Sequence, residues 1–245
     1  MKAAGMPPLV EFPPLTAAWL LQRENRFRAR ARLLDGREVA VHVPNSGRLL
    51  EVFGKPRRAW LARASNPRRK TPYDLQVVEG DDGVLISVDA RLPNRLFAAA
   101  LRRGVFDGWL GLPGEVWRLR PEPPYGQGRL DFLLEAPAEA RRWWVETKSI
   151  TLVKDGVALF PDAPTARGRR HLADLCRLVQ QGERAAVVFI AQRSDPVAFA
   201  PHTADPDFPA ALRAAAACGV VVRAYRCTVT LRGIGDLQPM PVRNG

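Results

Sequence analysis

Hydrophobic and polar positions change their rhythm once along the chain. From Phe27 to about Glu79 they alternate, as in "FRARARLL", where arginine takes every second place. Successive side chains on a strand point to opposite faces, so this pattern gives one apolar face and one basic, solvated face. Asp35-Gly36 supplies a hairpin turn into "EVAVHVP", and "RAWLARAS" and "YDLQVV" continue the short-strand pattern. No helical period interrupts it. Closing such strands into a small barrel removes exposed edges. The turn-rich "EGDDG", residues 79–83, ends this unit, which predicts a first domain over 1–83 and a second over 84–245.

The second part mixes periods. "PNRLFAAALRRG" predicts a helix capped by Asn94, with Leu96, Phe97, Ala100 and Leu101 on one face and Gly104 as its stop. Three strands are expected next: "RLDFLLE", "RWWVETKSI" and, after the turn Lys154-Asp155-Gly156, "GVALF". "PTARGRRHLADLCRLVQQG" predicts a helix from near Pro164 to Gly182, with Leu172, Leu175, Cys176 and Val179 along one side. "AAVVFIA" is a continuous apolar run suited to a strand buried on both faces. "PDFPAALRAAAACG" reads as a further helix and "VVVRAYRCTVTL" as one or two strands. The order is α-β-β-β-α-β, and the fold class is α/β overall behind a β-barrel.

Charge narrows the partners. The 245 residues carry a formal net charge of +12. Residues 1–80 hold 15 Lys+Arg against 7 Asp+Glu, so most of the excess lies in one third of the chain. That concentration favours a polyanion-facing module over a merely solvated surface, and arginine's planar fork suits phosphate oxygens. Three cysteines, Cys176, Cys218 and Cys227, form no CxxC and no zinc spacing, which predicts reduced thiols and a cytoplasmic location. Pro7, Pro8, Pro13 and Pro14 break any leader-like apolar run. No run approaches the ~20 apolar residues a membrane helix needs, so no membrane partner is expected.

The chemistry concentrates in "GRLDFLLEAPAEARRWWVETKS", residues 128–149. Two strands joined by a turn would bring Asp131 beside Glu146, and Glu146 and Lys148 share a face because they are two apart. Two carboxylates and a backbone carbonyl, such as that of Thr147, suit Mg2+ (or Mn2+), with water and substrate phosphate completing its shell. Lys148 would orient water and neutralise charge developing on phosphate. This is the PD-(D/E)xK nuclease pattern. A solvated ion pair on a strand face, worth well under ~1 kcal/mol, fits the same spacing.

From about Pro8 to Val242 the chain resembles the sugar fermentation stimulation protein family (SfsA). The motifs run in order: "HVPNSGRLL", "SNPRRKTPYDLQVVE", "LPNRL", "EPPYGQGRLDFLL", "VETKSITL", "FPDAPTARGRRHL", "GERAAVVFIAQRSD" and "GVVVRAYRC". The resemblance implies an OB-like N-terminal barrel and a C-terminal αβββαβ restriction-endonuclease-like domain. It also implies DNA binding without marked sequence preference and a link to sugar-catabolism gene expression. Carried across by motif, the catalytic set is Asp131, Glu146 and Lys148, with Glu122 a further acid and Asp131 and Glu146 the metal ligands. Arg129, Arg167 and His171 become DNA-facing candidates. For His171 a structural role packed on its helix stands beside that of a general acid, and Asp162 is expected to cap the helix near Pro164. Where the family's helix carries glutamate after "NRL", this chain has Ala98-Ala99-Ala100, and Ala166 replaces a second glutamate. The first of these departures leaves Glu122 as the spare acid near the site and weighs against a two-metal site.

In the barrel, Arg26, Arg28, His42, Asn45, Arg48, Arg68, Arg69 and Lys70 are the DNA-binding candidates, the last three adjacent and not all able to find internal partners. Phe27, Phe53, Trp60 and Tyr73 offer stacking surfaces. Core roles for Phe27 and Trp60, and a purely geometric role for "PNSG", compete with these. Three functions remain: a Mg-dependent nuclease acting on DNA, a non-catalytic, sequence-nonspecific DNA-binding regulator, and an RNA-processing or repair partner, since a basic barrel reads backbone more than sugar type.

Overall fold

The computed structural model describes residues 7–243; residues 1–6 and 244–245, at the outer ends of the two expected domains, lie outside it. The first strands are β1 (Val10–Glu11), β2 (Leu15–Asn25), β3 (Arg28–Leu33) and β4 (Glu38–His42). A short helix α1 (Leu50–Phe53) precedes β5 (Arg57–Arg63), β6 (Tyr73–Glu79) and β7 (Leu85–Ser87). Strands β2 to β7 form one sheet in the order β4-β3-β2-β5-β6-β7, and a parallel β4–β6 pairing closes β2 to β6 into a five-stranded OB-like barrel. Its cause is visible in β3, where Ala29, Ala31 and Leu33 are buried and the arginines between them are not. Two register shifts in the β2–β3 pairing, between Leu20 and Gln22 and between Arg23 and Asn25, add the bending that closure needs. Gly80–Gly83 turns β6 into β7 within this sheet, and β1 joins the other one.

The second region contains α2 (Leu92–Arg102), α3 (Asp107–Leu110), β8 (Arg118–Pro121), β9 (Pro124–Tyr125), β10 (Gly128–Arg129), β11 (Phe132–Ala136) and β12 (Arg141–Ile150). It continues through β13 (Val153–Lys154), β14 (Val157–Phe160), α4 (Ala166–Gln180), β15 (Arg184–Ala191) and β16 (Ala198–Pro201). It ends with α5 (Phe208–Ala217), β17 (Val221–Thr230) and β18 (Gly233–Met240). The seven-stranded sheet runs β1-β18-β17-β15-β12-β11-β8, parallel across β12, β15 and β17 and antiparallel elsewhere. Leu96, Phe97 and Phe106 pack on one face with Phe132, Val145 and Val188. Leu172, Leu175 and Leu212 cover the other, with Trp144, Val187 and Phe189. With both faces covered, every residue of β15 after Arg184 is buried, as its apolar run requires.

Three sequence expectations are corrected. "GVALF" is β14, but it pairs with β13 and β16 in a separate three-stranded sheet, and the third antiparallel strand of the main sheet is β8. Its sequence, "RLRP", is an exposed edge with one half-buried leucine, so no apolar signal announces it. Asn94 does not cap α2: Arg91 holds that place without a side-chain bond, and Asn94 lies inside the first turn. The cysteines are not all free. Cys176 on α4 and Cys218 just after α5 form a disulfide, 42 residues apart in sequence. Counting cysteines could not reveal it, because only the packing of the two helices brings them together. Cys227 is free and buried, and burial pushes its thiol well up. Among the described residues no helix is long and apolar enough to cross a membrane.

Candidate active site

Strands β11 and β12 are antiparallel with Phe132 opposite Val145, so the residue before β11 meets the residue after Val145. Asp131 thereby faces Glu146, and its backbone N–H donates to Glu146 Oε2 at 3.2 Å. Parallel pairing with β15 buries this part of β12, and Glu146 is 3% exposed. Two carboxylates therefore lie together in a nearly dry place, where charge is costly without partners.

Each carboxylate finds several. Asp131 Oδ2 accepts from the Thr147 N–H at 2.8 Å and the Thr147 hydroxyl at 2.9 Å, and Oδ1 accepts from the Asn94 amide at 3.0 Å. Thr147 Oγ1 also lies 2.5 Å from Asn94 Oδ1. Lys148 Nζ is 2.5 Å from Glu146 Oε1, the spacing of two along a strand having put them on one face. From α4, His171 Nδ1 contacts the same Oε1, and Arg167 Nε donates to His171 Nε2 at 3.4 Å. Lys148 Nζ also lies 3.2 Å from His171 Nδ1, so that nitrogen sits between a carboxylate oxygen and an ammonium. Burial pushes the Asp131 carboxyl up, and the neighbouring Glu146 charge pushes it further, against the pull of the Thr147 N–H and the Asn94 amide. Burial acts the same way on Glu146, but the Lys148 charge and the His171 hydrogen bond together bring it below its ordinary value. The site therefore holds two acids whose titrations are driven apart.

Asp131, Glu146 and Lys148 open on a cleft of about 460 Å³, shared with Asn94, Glu122 and Arg167. Glu122 is at the rim, its carboxylate ion-paired with Arg129 at 2.9 Å and both largely exposed. Asn94, expected only as a helix cap, and the Thr147 side chain were not expected at the site, and no local signal marks either for it. His171, 3% exposed, lies beneath Glu146 and not on a surface that DNA could touch.

The proposed DNA contacts divide by partner. Arg28 and Arg30 are paired with Glu24, so the alternating face of β3 is largely neutralised. Within the 68–70 run Arg69 is paired with Asp74 at 2.8 Å, so one of the three cations is satisfied internally. Asn45 donates to Val88 O and accepts from the Gly47 N–H, which makes its side chain a fastener of the turn. His42 Nδ1 lies 3.1 Å from Phe27 O. Arg48, Arg68 and Lys70 have no side-chain partner among the described residues. Phe27 is 48% exposed, not core, and Arg26 lies over its ring at 5.5 Å. Trp60 is half-buried and packs toward the core of the second sheet.

Asp162 does not cap α4. Thr165 does, its Oγ1 accepting from the Gly168 N–H at 3.0 Å, while Arg169 is ion-paired with Asp205. Asp162 Oδ2 instead accepts from the backbone N–H groups of Arg48 at 2.7 Å and Leu49 at 3.3 Å, fastening the barrel to the second region. Arg23 secures the same turn from within the barrel through the carbonyls of Arg26, Gly47 and Arg48. Nothing local in the sequence signals that role.

Comparison with known proteins follows the same division. Residues 91–233 match the family model described as the sugar fermentation stimulation protein RE domain, and residues 21–88 match the SfsA N-terminal OB domain. A sugar fermentation stimulation protein homolog of Moorella thermoacetica is 44% identical over 239 residues, covering 96% of this chain and 100% of the relative. A homolog from Geobacter sulfurreducens is 40% identical over 234 residues, covering 95% and 97%. The solved structure of Pyrococcus furiosus SfsA in complex with Ca2+ is similar at 30% identity with a TM-score of 0.86, covering 97% of this chain and all of that one.

Proposed function

This chain belongs to the sugar fermentation stimulation protein family, and on that premise we propose that it binds DNA and hydrolyses its phosphodiester bonds with Mg2+ or Mn2+. The observation that carries the reading is the dry cluster of Asp131, Glu146 and Lys148 at the floor of a cleft with Arg167 on its wall. A structural ion pair has no need of a second buried carboxylate, whose presence pushes Asp131 up.

The residues fit a hard divalent cation. Asp131 and Glu146 would hold it, with the Thr147 carbonyl available as a third oxygen and water or phosphate filling the remainder. A cation there would relieve the repulsion between the two carboxylates. The Pyrococcus relative was solved with Ca2+, an ion of the same oxygen preference. When bound, the metal supplies Lewis acidity and a more acidic water. The chain's own residues supply the rest. Asn94 and Thr147 hold the Asp131 carboxylate in a fixed orientation. Lys148 places positive charge where negative charge develops on phosphate, and Arg167 offers a guanidinium to a neighbouring phosphate. His171 holds Glu146 from below.

The second reading, a non-catalytic DNA-binding regulator, draws on α2. Ala98, Ala99 and Ala100 bring no acid to the site, and the Asn94 amide occupies Asp131 Oδ1. Cleavage of labelled single-stranded DNA, duplex DNA and RNA with Mg2+, Mn2+ or EDTA separates the two. Metal-dependent cutting by the native chain, abolished in Lys148→Ala, is expected. Salt-sensitive binding with no cutting in any metal would leave the regulator.

A further inference from the structure

Lys148 lines two clefts at once. One is the 460 Å³ cleft over the carboxylates; the other, about 330 Å³, lies between the barrel and the second sheet. Ala90, Thr147, Lys148 and Ser149 belong to both, so the two form one trough. The barrel side of the second cleft is the 45–47 turn with Arg26, and the opposite side is the Phe160–Thr165 segment. Asp162, the carboxylate within it, is turned to the Arg48 and Leu49 N–H groups, so it offers little repulsion to an entering phosphate. Just outside sits Phe27, half exposed, with Arg26 over one side and the His42 ring 6.4 Å away.

We propose that this trough is a path for an unpaired DNA strand, entering at the Phe27–Arg26 corner of the barrel and passing Lys148 to reach the Asp131–Glu146 pair. The proposal rests on the nucleic-acid reading above and adds the form of the substrate and its route.

Three observations support it. An aromatic ring left in water beside cations is a platform on which any base can stack, and stacking is available only to bases that are not paired inside a helix. Arg26 uses Nε on the Ser46 carbonyl, which leaves its terminal nitrogens for phosphate, in contrast to Arg28 and Arg30 on the adjacent strand. The chain at 47–49 is held by Asp162 at the Arg48 and Leu49 N–H groups and by Arg23 at the Gly47 and Arg48 carbonyls, so the cleft cannot widen there without breaking several hydrogen bonds. A space of about 330 Å³ suits a nucleotide-sized group, not two paired strands.

The test is fluorescence anisotropy of the full chain in EDTA, which prevents cutting. The probes are a labelled oligothymidylate of about 12 nucleotides and, at equal length, a labelled blunt DNA duplex and a labelled oligouridylate. The single DNA strand should bind roughly tenfold more tightly than the duplex. Phe27→Ala should weaken single-strand binding about tenfold and change duplex binding less than about twofold, and Phe27→Trp should restore it. Its melting temperature should stay at the native value, because the ring is not core. Equal binding of both DNA probes, or equal losses in Phe27→Ala, would overturn the path while leaving DNA binding intact. Binding to neither DNA probe would overturn the DNA reading and the path with it. Tighter binding of an oligouridylate would replace DNA by RNA as the strand.

Discussion

Strands β3 and β12 carry the same kind of text and do opposite things with it. On β3, charges at Arg28, Arg30 and Arg32 alternate with small apolar residues; on β12, Glu146 and Lys148 are likewise two apart. The β3 charges lie at the barrel surface, where Glu24 and Glu38 meet them with side chains 42–54% exposed on the arginine side. Water screens them, and each pair is worth about 0–1 kcal/mol. The β12 charges are flanked by β11 and β15 and roofed by α4, with side-chain exposure of 11% for Lys148 and 3% for Glu146. There the same attraction acts in a far less polarisable setting, and its loss strands a buried charge. Alternation along a strand thus tells which groups share a face, and only the neighbouring strands and helices tell what that face is worth.

Removing one partner from each ladder tests this most directly. Lys148→Met should cost about 3 kcal/mol in urea unfolding, since Glu146 then keeps only His171 and the Asp131 N–H; Arg30→Met should cost less than about 1 kcal/mol. Similar losses in both would mean the β12 cluster is as well solvated as the surface. A second comparison sets paired against unpaired cations. Arg68→Ala with Lys70→Ala should flatten the salt dependence of DNA binding by about 2 units, whereas Arg28→Ala with Arg30→Ala should change it by less than about 1. Equal changes would mean that Glu24 releases its arginines to the phosphates. The smallest effect concerns Glu51, a carboxylate with one oxygen buried and unpartnered, whose burial pushes it up from 4.5. The folded chain holds that proton more tightly than the unfolded chain, so stability falls as the pH rises through 4.5 toward the folded value. Glu51→Gln should therefore melt slightly higher than the native chain at pH 7, and the gain should fade at pH 4.5 and below. A gain that persists in acid would assign it to packing.

Strands β3 to β6 were legible as short alternating or apolar runs between clear turns, whereas β2 precedes the stretch that reads as strands. The triad was legible because Asp131, Glu146 and Lys148 lie on neighbouring strands with a short connection. What escaped depended on residues far apart in the chain. Asn94 looked like a cap because it stands just before the apolar face of its helix, yet its amide is committed to a carboxylate 37 residues away. Asp162 looked like a cap because a helix begins near Pro164, and its partners lie 113 and 114 residues back. Strand β8 escaped because an exposed edge needs few apolar residues to be held by its neighbour. Which of the three cations at 68–70 would be paired was not legible, because Asp74 meets Arg69 only across a turn that the sequence alone does not fold.

The pairing of β1 with β18 has a consequence in time. Val10 meets Ile234, so the barrel is a detour inserted into the other sheet, between its first strand and all the rest. As the chain leaves the ribosome, the barrel can close once Ser87 has emerged, while β1 waits for a partner that appears on the order of ten seconds later. Helix α2, which follows the barrel directly, gives Leu9, Val10 and Phe12 an apolar surface before that strand arrives. With two paired residues in all, β1 leaves little unpaired edge in the meantime.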